Sequence, residues 1–135
     1  MSGPSSASPV SSRAVAGAFA LDVVLVVVFA AIGRASHGED ALAGLWITAW
    51  PFLAGLVAGW LITQGWNAPT APARTGLGIW AITVAGGMLL RAASGQGIAV
   101  AFVIVAAITL LLFLVGWRVI ARLVSRARVA KSSPR

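Results

Sequence analysis

The sequence predicts an all-α fold, a bundle of four transmembrane helices, and three observations predict it. Hydrophobic residues make up 59% of the 135 residues and charged residues only 10%, whereas a soluble domain is about 45–50% apolar and about a quarter charged. The mean hydropathy is +0.95. The apolar residues form four runs divided by short polar segments, and about 20 helical residues cross a membrane core of about 30 Å. These values exclude a disordered chain and argue against a soluble enzyme.

The four apolar runs define the elements in chain order. Residues 1–12 are small, polar and uncharged, so they bury too little apolar surface to offset ordering and are expected to form a disordered tail. The membrane domain is expected to cover residues 13–118, with spans at about 14–33, 41–65, 77–91 and 97–117. The third run is short, and it crosses the membrane if Arg91 extends its charged end to the surface or if the bilayer thins locally. The basic residues 119–135 are expected to form a juxtamembrane tail.

The basic residues predict the orientation. Of the ten Lys and Arg residues, eight fall on the side that holds both termini and loop 66–76, and Arg34 and Arg91 fall on the other. Cytoplasmic segments are the ones enriched in Lys and Arg. We therefore expect a multi-pass plasma-membrane protein with both termini in the cytoplasm. Six of the ten basic residues follow the last apolar run, which favours anionic lipid rather than nucleic acid as the partner.

The second run carries the packing signals. Pro51 removes one backbone hydrogen bond from the helix and is expected to kink it. Gly55 and Gly59 are four residues apart, a spacing that lets two membrane helices approach closely. This pair fits either an internal packing face or the face of a homodimer.

Asp22 is the most informative residue, because an ionisable side chain inside a span is costly and usually faces a partner or a cavity. Counted from the cytoplasmic surface, Thr83 and Thr109 lie at a similar depth on the third and fourth spans, so the three residues predict one buried polar cluster. Arg118, at the inner end of the fourth span, is the nearest cationic partner. Asp22 is then either a proton- or cation-responsive site or a structural acid that bonds a threonine and fixes the helix register.

Two further charged groups lie at the ends of the spans. The outer loops bring together a rim cluster, for which ion pairs between loops are expected and metal binding is only weakly indicated; its members are Arg34, His37, Glu39, Asp40 and Arg91. At the cytoplasmic end, Arg118, Arg122 and Arg126 are four residues apart on one helix face. We expect these three arginines to contact the headgroups of anionic inner-leaflet lipids.

A further set of residues forms a pattern over roughly residues 14–118. Its members are Asp22, Phe29, Ala30, Gly33, Arg34, Ser36, His37, Thr48, Ala49, Pro51, Phe52, Gly55, Arg74, Gly76, Trp80, Thr83, Gly87, Met88, Leu90, Arg91, Gly95, Gly97, Gly116, Trp117 and Arg118. In this pattern the chain resembles a family of small integral membrane proteins of high-GC Gram-positive, actinobacterial bacteria, known as domain of unknown function 3054. The resemblance implies the membrane topology and no activity.

Three function classes stay open on the sequence. The first is a non-enzymatic structural or accessory membrane subunit, whose expected partners are the lipid bilayer and a homodimer mate or another membrane subunit. The second is a small homo-oligomeric transporter or channel that uses Asp22; it distantly resembles small multidrug-resistance transporters, which have Glu where this chain has Asp. The third is a lipid-modifying enzyme. With no cysteine, one histidine and three carboxylates, we predict no enzyme and no cofactor.

Overall fold

The computed structural model describes residues 9–132, and every regular element in that range is helical. The helices are α1 (Ser12–Ser36), α2 (Leu45–Thr63), α3 (Leu77–Ala93), α4 (Val100–Leu114) and α5 (Gly116–Ser132). Four segments are long and apolar enough to cross a membrane: Ser12–Ser36, Leu45–Thr63, Pro72–Ala93 and Val100–Ser132. The prediction of an all-α fold with four membrane-compatible helices is therefore confirmed.

The start of α1 differs slightly from the predicted tail. The Ser11 side chain accepts a hydrogen bond from the Ala14 N–H at 3.1 Å, which satisfies one of the free donors at the helix start. Ser12 is therefore already helical, although the tail was predicted to end there. Residues 1–8 of the predicted tail lie outside the described residues.

The second helix begins later than the predicted residue 41. Gly44 has a φ of 81°, in the left-handed region that glycine adopts without steric cost. Just before it, the Asp40 carboxylate accepts hydrogen bonds from the backbone N–H groups of Leu42 and Ala43 at 2.9 and 3.2 Å. Side-chain bonds of this kind stabilise turns in competition with a helix, so α2 starts only at Leu45.

The third membrane segment is longer than its apolar run. Pro72–Gly76 forms a single π-helical turn that leads directly into α3. The combined segment Pro72–Ala93 has 22 residues, enough to cross a membrane core at about 1.5 Å per residue. The charged side chain of Arg91 therefore does not have to compensate for a short third span.

Helices α2 and α3 form the most extensive helix pair, and two glycines make their close approach possible. A Cβ atom on Gly55 would lie 2.8 Å from the Thr83 carbonyl oxygen and 3.2 Å from the Gly87 backbone nitrogen. A Cβ atom on Gly59 would lie 3.2 Å from the Ile79 Cα. Within the chain, the glycine pair is therefore a packing face between α2 and α3.

The core of the bundle is apolar and aromatic. Phe29 and Phe52 meet edge to face with ring centres 5.2 Å apart, and Phe102 lies 6.5 and 6.2 Å from them. We call these three rings the phenylalanine cluster. The bundle has two polar ends, which we name the Arg118 end and the Arg91 end after an arginine in each, and Phe29 and Phe102 lie at the Arg91 end. Pro51 is buried inside α2, and the kink there stays a prediction.

Candidate functional site

Asp22 lies on the side of α1 that faces the bundle. Its side chain is fully buried, and Ala18 and Val26 on the same side are 5% and 0% exposed. Val24, on the other side of the helix, is 55% exposed. The structure therefore places the acid inside the bundle, as the sequence analysis expected from the cost of a charge in lipid.

The Asp22 carboxylate accepts four hydrogen bonds. Arg118 binds it with both terminal nitrogens, Nη1 to Oδ1 at 2.9 Å and Nη2 to Oδ2 at 2.7 Å. The indole N–H groups of Trp117 and Trp60 donate to Oδ1 at 2.8 Å and to Oδ2 at 2.9 Å. Each oxygen therefore has two donors, and the side chains of Asp22 and Arg118 are both 0% exposed. We call these four residues the Asp22 cluster.

Arg118 uses its remaining donors to join the cluster to the chain around it. Its Nε donates to the Pro69 carbonyl oxygen at 2.8 Å, and Nη1 also donates to the Leu114 carbonyl oxygen at 2.7 Å. The guanidinium carbon lies 4.6 Å from the centre of the Trp117 ring, within the range of a cation–π interaction. One side chain thus links α1, α4, α5 and the loop before α3.

Two glycines leave room for the large side chains of the cluster. A Cβ atom on Gly76 would lie 3.1 Å from the Arg118 Cδ, and one on Gly65 would lie 2.7 Å from the Trp60 Cε3. Gly65 begins a short 3₁₀ turn after α2, and Gly76 ends the π-helical turn before α3. The irregular α2–α3 connection therefore covers the cluster closely because it carries glycine where the side chains press against it.

The predicted partners of Asp22 need correction. The Thr83 hydroxyl is buried and has no hydrogen-bond partner among the described residues, and Thr109 makes no bond to the acid in the same range. Equal depth in the membrane does not fix the direction of a side chain around its helix. The Thr83 backbone packs against Gly55 of α2, so this part of α3 is occupied by helix packing.

The predicted role of Arg118 as a headgroup contact is wrong, because its side chain is fully buried. Arg118, Arg122 and Arg126 do share one helix face, but only the first lies at the level of the bundle. Arg122 and Arg126 are exposed on the part of α5 that extends past it. Arg118 was expected to be the nearest cationic partner of Asp22, and the two side chains do form an ion pair at 2.7 Å.

Sequence reasoning missed the two indole donors. Trp60 was not singled out, and Trp117 was named only among the residues that carry the family resemblance. A buried indole N–H normally finds an acceptor, and the chain has six tryptophans but only three carboxylates. The acceptor can also be a backbone carbonyl, as for Trp80, which donates to the Ala107 carbonyl oxygen at 2.8 Å, so the sequence alone does not say which tryptophan bonds an acid.

At the Arg91 end, Arg34 organises the loop between α1 and α2. Its Nε donates to the Asp40 carbonyl oxygen at 3.0 Å, its Nη2 to the Ala43 carbonyl oxygen, and its Nη1 to the Thr48 hydroxyl at 3.2 Å. Glu39 completes the set with an ion pair at 3.0 Å. The side chain of Arg34 is 17% exposed and that of Glu39 is 55% exposed. This loop is therefore held by one arginine that contacts four neighbours.

The predicted rim cluster is brought together in part. Arg34, His37, Glu39 and Arg91 all line one cavity of about 320 Å³, and Asp40 lies outside its lining. The Leu42 and Ala43 N–H groups, with a smaller contribution from the charge of Arg34, hold the pKa of Asp40 below its ordinary value of 3.8. Asp40 is thus committed to the loop turn rather than to the cavity.

Comparison with known proteins relates the chain to one protein family. No curated protein and no solved structure matches the chain. A family model described as a protein of unknown function, DUF3054, matches residues 19–121. The matched range includes all four residues of the Asp22 cluster and the whole lining of the Arg91-end cavity. Since the match covers well over half of the chain, this protein belongs to the DUF3054 family.

Proposed function

We propose that this chain is a multi-pass plasma-membrane protein with a structural or accessory role and no enzymatic activity of its own. The observation that carries the proposal is the saturation of the Asp22 carboxylate, which accepts four hydrogen bonds and is fully buried. The one acid inside a span is thereby used to hold helices together. The protein presents a fixed bundle to the membrane and to neighbouring membrane proteins.

The surroundings of Asp22 favour this role over proton or cation coupling. A coupling acid has to exchange its proton or ion with water, and Asp22 and Arg118 are both 0% exposed. Val26, one turn along α1 from Asp22, and Leu114, whose carbonyl oxygen accepts from Arg118 Nη1, are also 0% exposed. These contacts support a rigid join, since breaking a buried ion pair is strongly unfavourable.

In the proposed orientation, both termini and the Arg118 end face the cytoplasm. The eight-to-two distribution of basic residues supports this side. Helix α5 extends past the bundle with exposed Arg122 and Arg126 and with Ile120 and Leu123 at 63% and 57% exposure. A helix with basic and apolar surfaces binds an anionic lipid interface, so we propose that α5 anchors the bundle to inner-leaflet anionic lipids.

The proposed protein partner is another membrane subunit or a second copy of this chain. Gly55 and Gly59 are buried against α3, so a homodimer would have to use another face. Large apolar side chains on the outside of α2, such as Leu61 and Ile62 at 61% and 70% exposure, give lipid or such a partner an apolar surface.

A flux measurement tests the role. The full chain is reconstituted in liposomes loaded with a pH-sensitive dye and placed in an imposed proton or potassium gradient. We expect no flux above protein-free liposomes for the natural chain, for Asp22→Asn or for the control Glu39→Gln. Flux in the natural chain that Asp22→Asn abolishes and Glu39→Gln leaves intact would overturn the proposal in favour of a coupled transporter.

Single cysteines test the orientation, because the chain has none of its own. A cysteine at His37 should react with an impermeant maleimide in intact cells, and a cysteine at Thr70 should react only after the membrane is opened. The reverse pattern would contradict cytoplasmic termini.

A further inference from the structure

The Arg91-end cavity differs in character from the Asp22 cluster. It has a volume of about 320 Å³ and lies where α1 and α3 end and α2 and α4 begin. Phe29 and Phe102 form part of its lining, and Arg34 and Arg91 supply its cations. It therefore combines an apolar surface with guanidinium groups, whereas the carboxylate at the other end of the bundle is already filled by its own donors.

The two cations of the cavity are not equally neutralised. Arg34 pairs with Glu39 at 3.0 Å. Arg91 bonds only to neutral oxygens in the described range. Its Nη1 donates to the Gln96 side-chain oxygen at 3.0 Å, its Nη2 to the Gln96 carbonyl oxygen at 3.4 Å and its Nε to the Gly97 carbonyl oxygen at 3.2 Å. Two arginines and one glutamate leave the lining with one excess positive charge, located at Arg91.

The position of Arg91 makes that charge available to a ligand with an apolar part. Its guanidinium carbon lies 4.3 Å from the centre of the Phe102 ring, and the residue is partly buried. A cation withdrawn from water is costly unless an anion pairs with it. Arginine also presents a planar fork of donors that suits carboxylate and phosphate oxygens.

We infer that this cavity binds an anionic amphiphile, with one carboxylate or phosphate group at Arg91 and an apolar group against Phe29 and Phe102. A volume of about 320 Å³ lies at the small end of ligand pockets, which run from about 300 to 1,000 Å³. It therefore suits a small carboxylate or the head region of one phospholipid, and both share the same recognition chemistry. The inference does not depend on the structural role proposed above.

The test uses the full chain in a neutral detergent and two matched pairs of probes. Benzoate is compared with benzamide, and dihexanoyl phosphatidylglycerol with dihexanoyl phosphatidylcholine, by calorimetric titration. We expect the anionic member of at least one pair to bind at least about tenfold more tightly than its neutral or zwitterionic counterpart, since a charge-assisted hydrogen bond contributes that much. Benzoate binding alone indicates a dissolved carboxylate, and phosphatidylglycerol binding alone indicates a lipid. Equal affinity within both pairs would overturn the inference.

Variants locate the binding. Arg91→Gln should weaken the binding of the anionic probe by about tenfold or more. Arg122→Gln removes an exposed charge from α5 and should leave the affinity for that probe unchanged. If Arg91→Gln does not fold, the variant Gln96→Glu tests whether the anion binds at Arg91. That change keeps an acceptor 3.0 Å from Arg91 Nη1 and supplies an internal anion, so it should also abolish the preference for the anionic probes. Anion binding that persists in the folded Arg91→Gln chain, or in Gln96→Glu, would place the ligand elsewhere.

Discussion

Replacing Asp22 with asparagine removes the charge that balances Arg118 and leaves the volume of the side chain almost unchanged. In the natural chain, the two oxygens of the Asp22 carboxylate accept hydrogen bonds from four donors. An amide offers one oxygen and places an NH₂ group where the other oxygen was, so donors would face donors. Because both side chains are 0% exposed, water does not replace the lost partner.

The expected loss in the free energy of unfolding is about 3–5 kcal/mol, the range for removing one partner of a buried ion pair. Arg118→Gln should cost a similar amount, because it leaves a buried carboxylate with only the indole donors of Trp60 and Trp117. The double variant should cost less than the sum of the two single changes by up to about 3 kcal/mol, since the second change removes the unpaired charge that the first one created.

The assay is reversible unfolding in mixed micelles, followed by circular dichroism. Glu39→Gln is the matched control: it makes the same acid-to-amide change in a pair whose glutamate side chain is 55% exposed, and it should cost less than about 1 kcal/mol. A loss below about 1 kcal/mol for Asp22→Asn, or strict additivity in the double variant, would refute the reasoning that the pair joins the bundle.

Three further outcomes follow from other parts of the molecule. Gly55→Ala should destabilise the fold by about 1–3 kcal/mol, because its Cβ would lie 2.8 Å from the Thr83 carbonyl oxygen. The control Gly17→Ala should not destabilise it, because a Cβ there meets nothing within 4 Å, and equal effects of the two changes in thermal unfolding would contradict this reasoning. A peptide of residues 119–132 should become helical on anionic vesicles and not on neutral ones, with binding weakened by salt, as circular dichroism would show. The lowered pKa of Asp40 means that its turn contributes stability above pH 3.8 and loses it as the pH falls through the lowered value; an NMR titration giving a pKa at or above 3.8 would contradict it.

The sequence predicted the helices well because each depends on local composition. It predicted the partners of Asp22 only in part, since Arg118 was named but the other partners depend on the direction of side chains around their helices. Apolar runs and flanking charges are enough to place four membrane-compatible helices. Thr83 was assigned to the cluster by depth alone, yet its hydroxyl makes no hydrogen bond in the described range. Trp60 and Trp117 were missed as donors because their side chains reach Asp22 across the bundle, which no spacing along the chain reveals.

The order of synthesis along the chain affects when the Asp22–Arg118 pair can form. Its two residues are 96 positions apart, one in the first helix and one in the last. At about 5–20 residues per second, the acid is made about 5–20 s before the arginine that neutralises it. During that interval the nascent first helix carries a carboxylate without its cation. A chain that stops before Arg118 never gains that partner, so its first helix lacks the ion pair that joins α1 to α5.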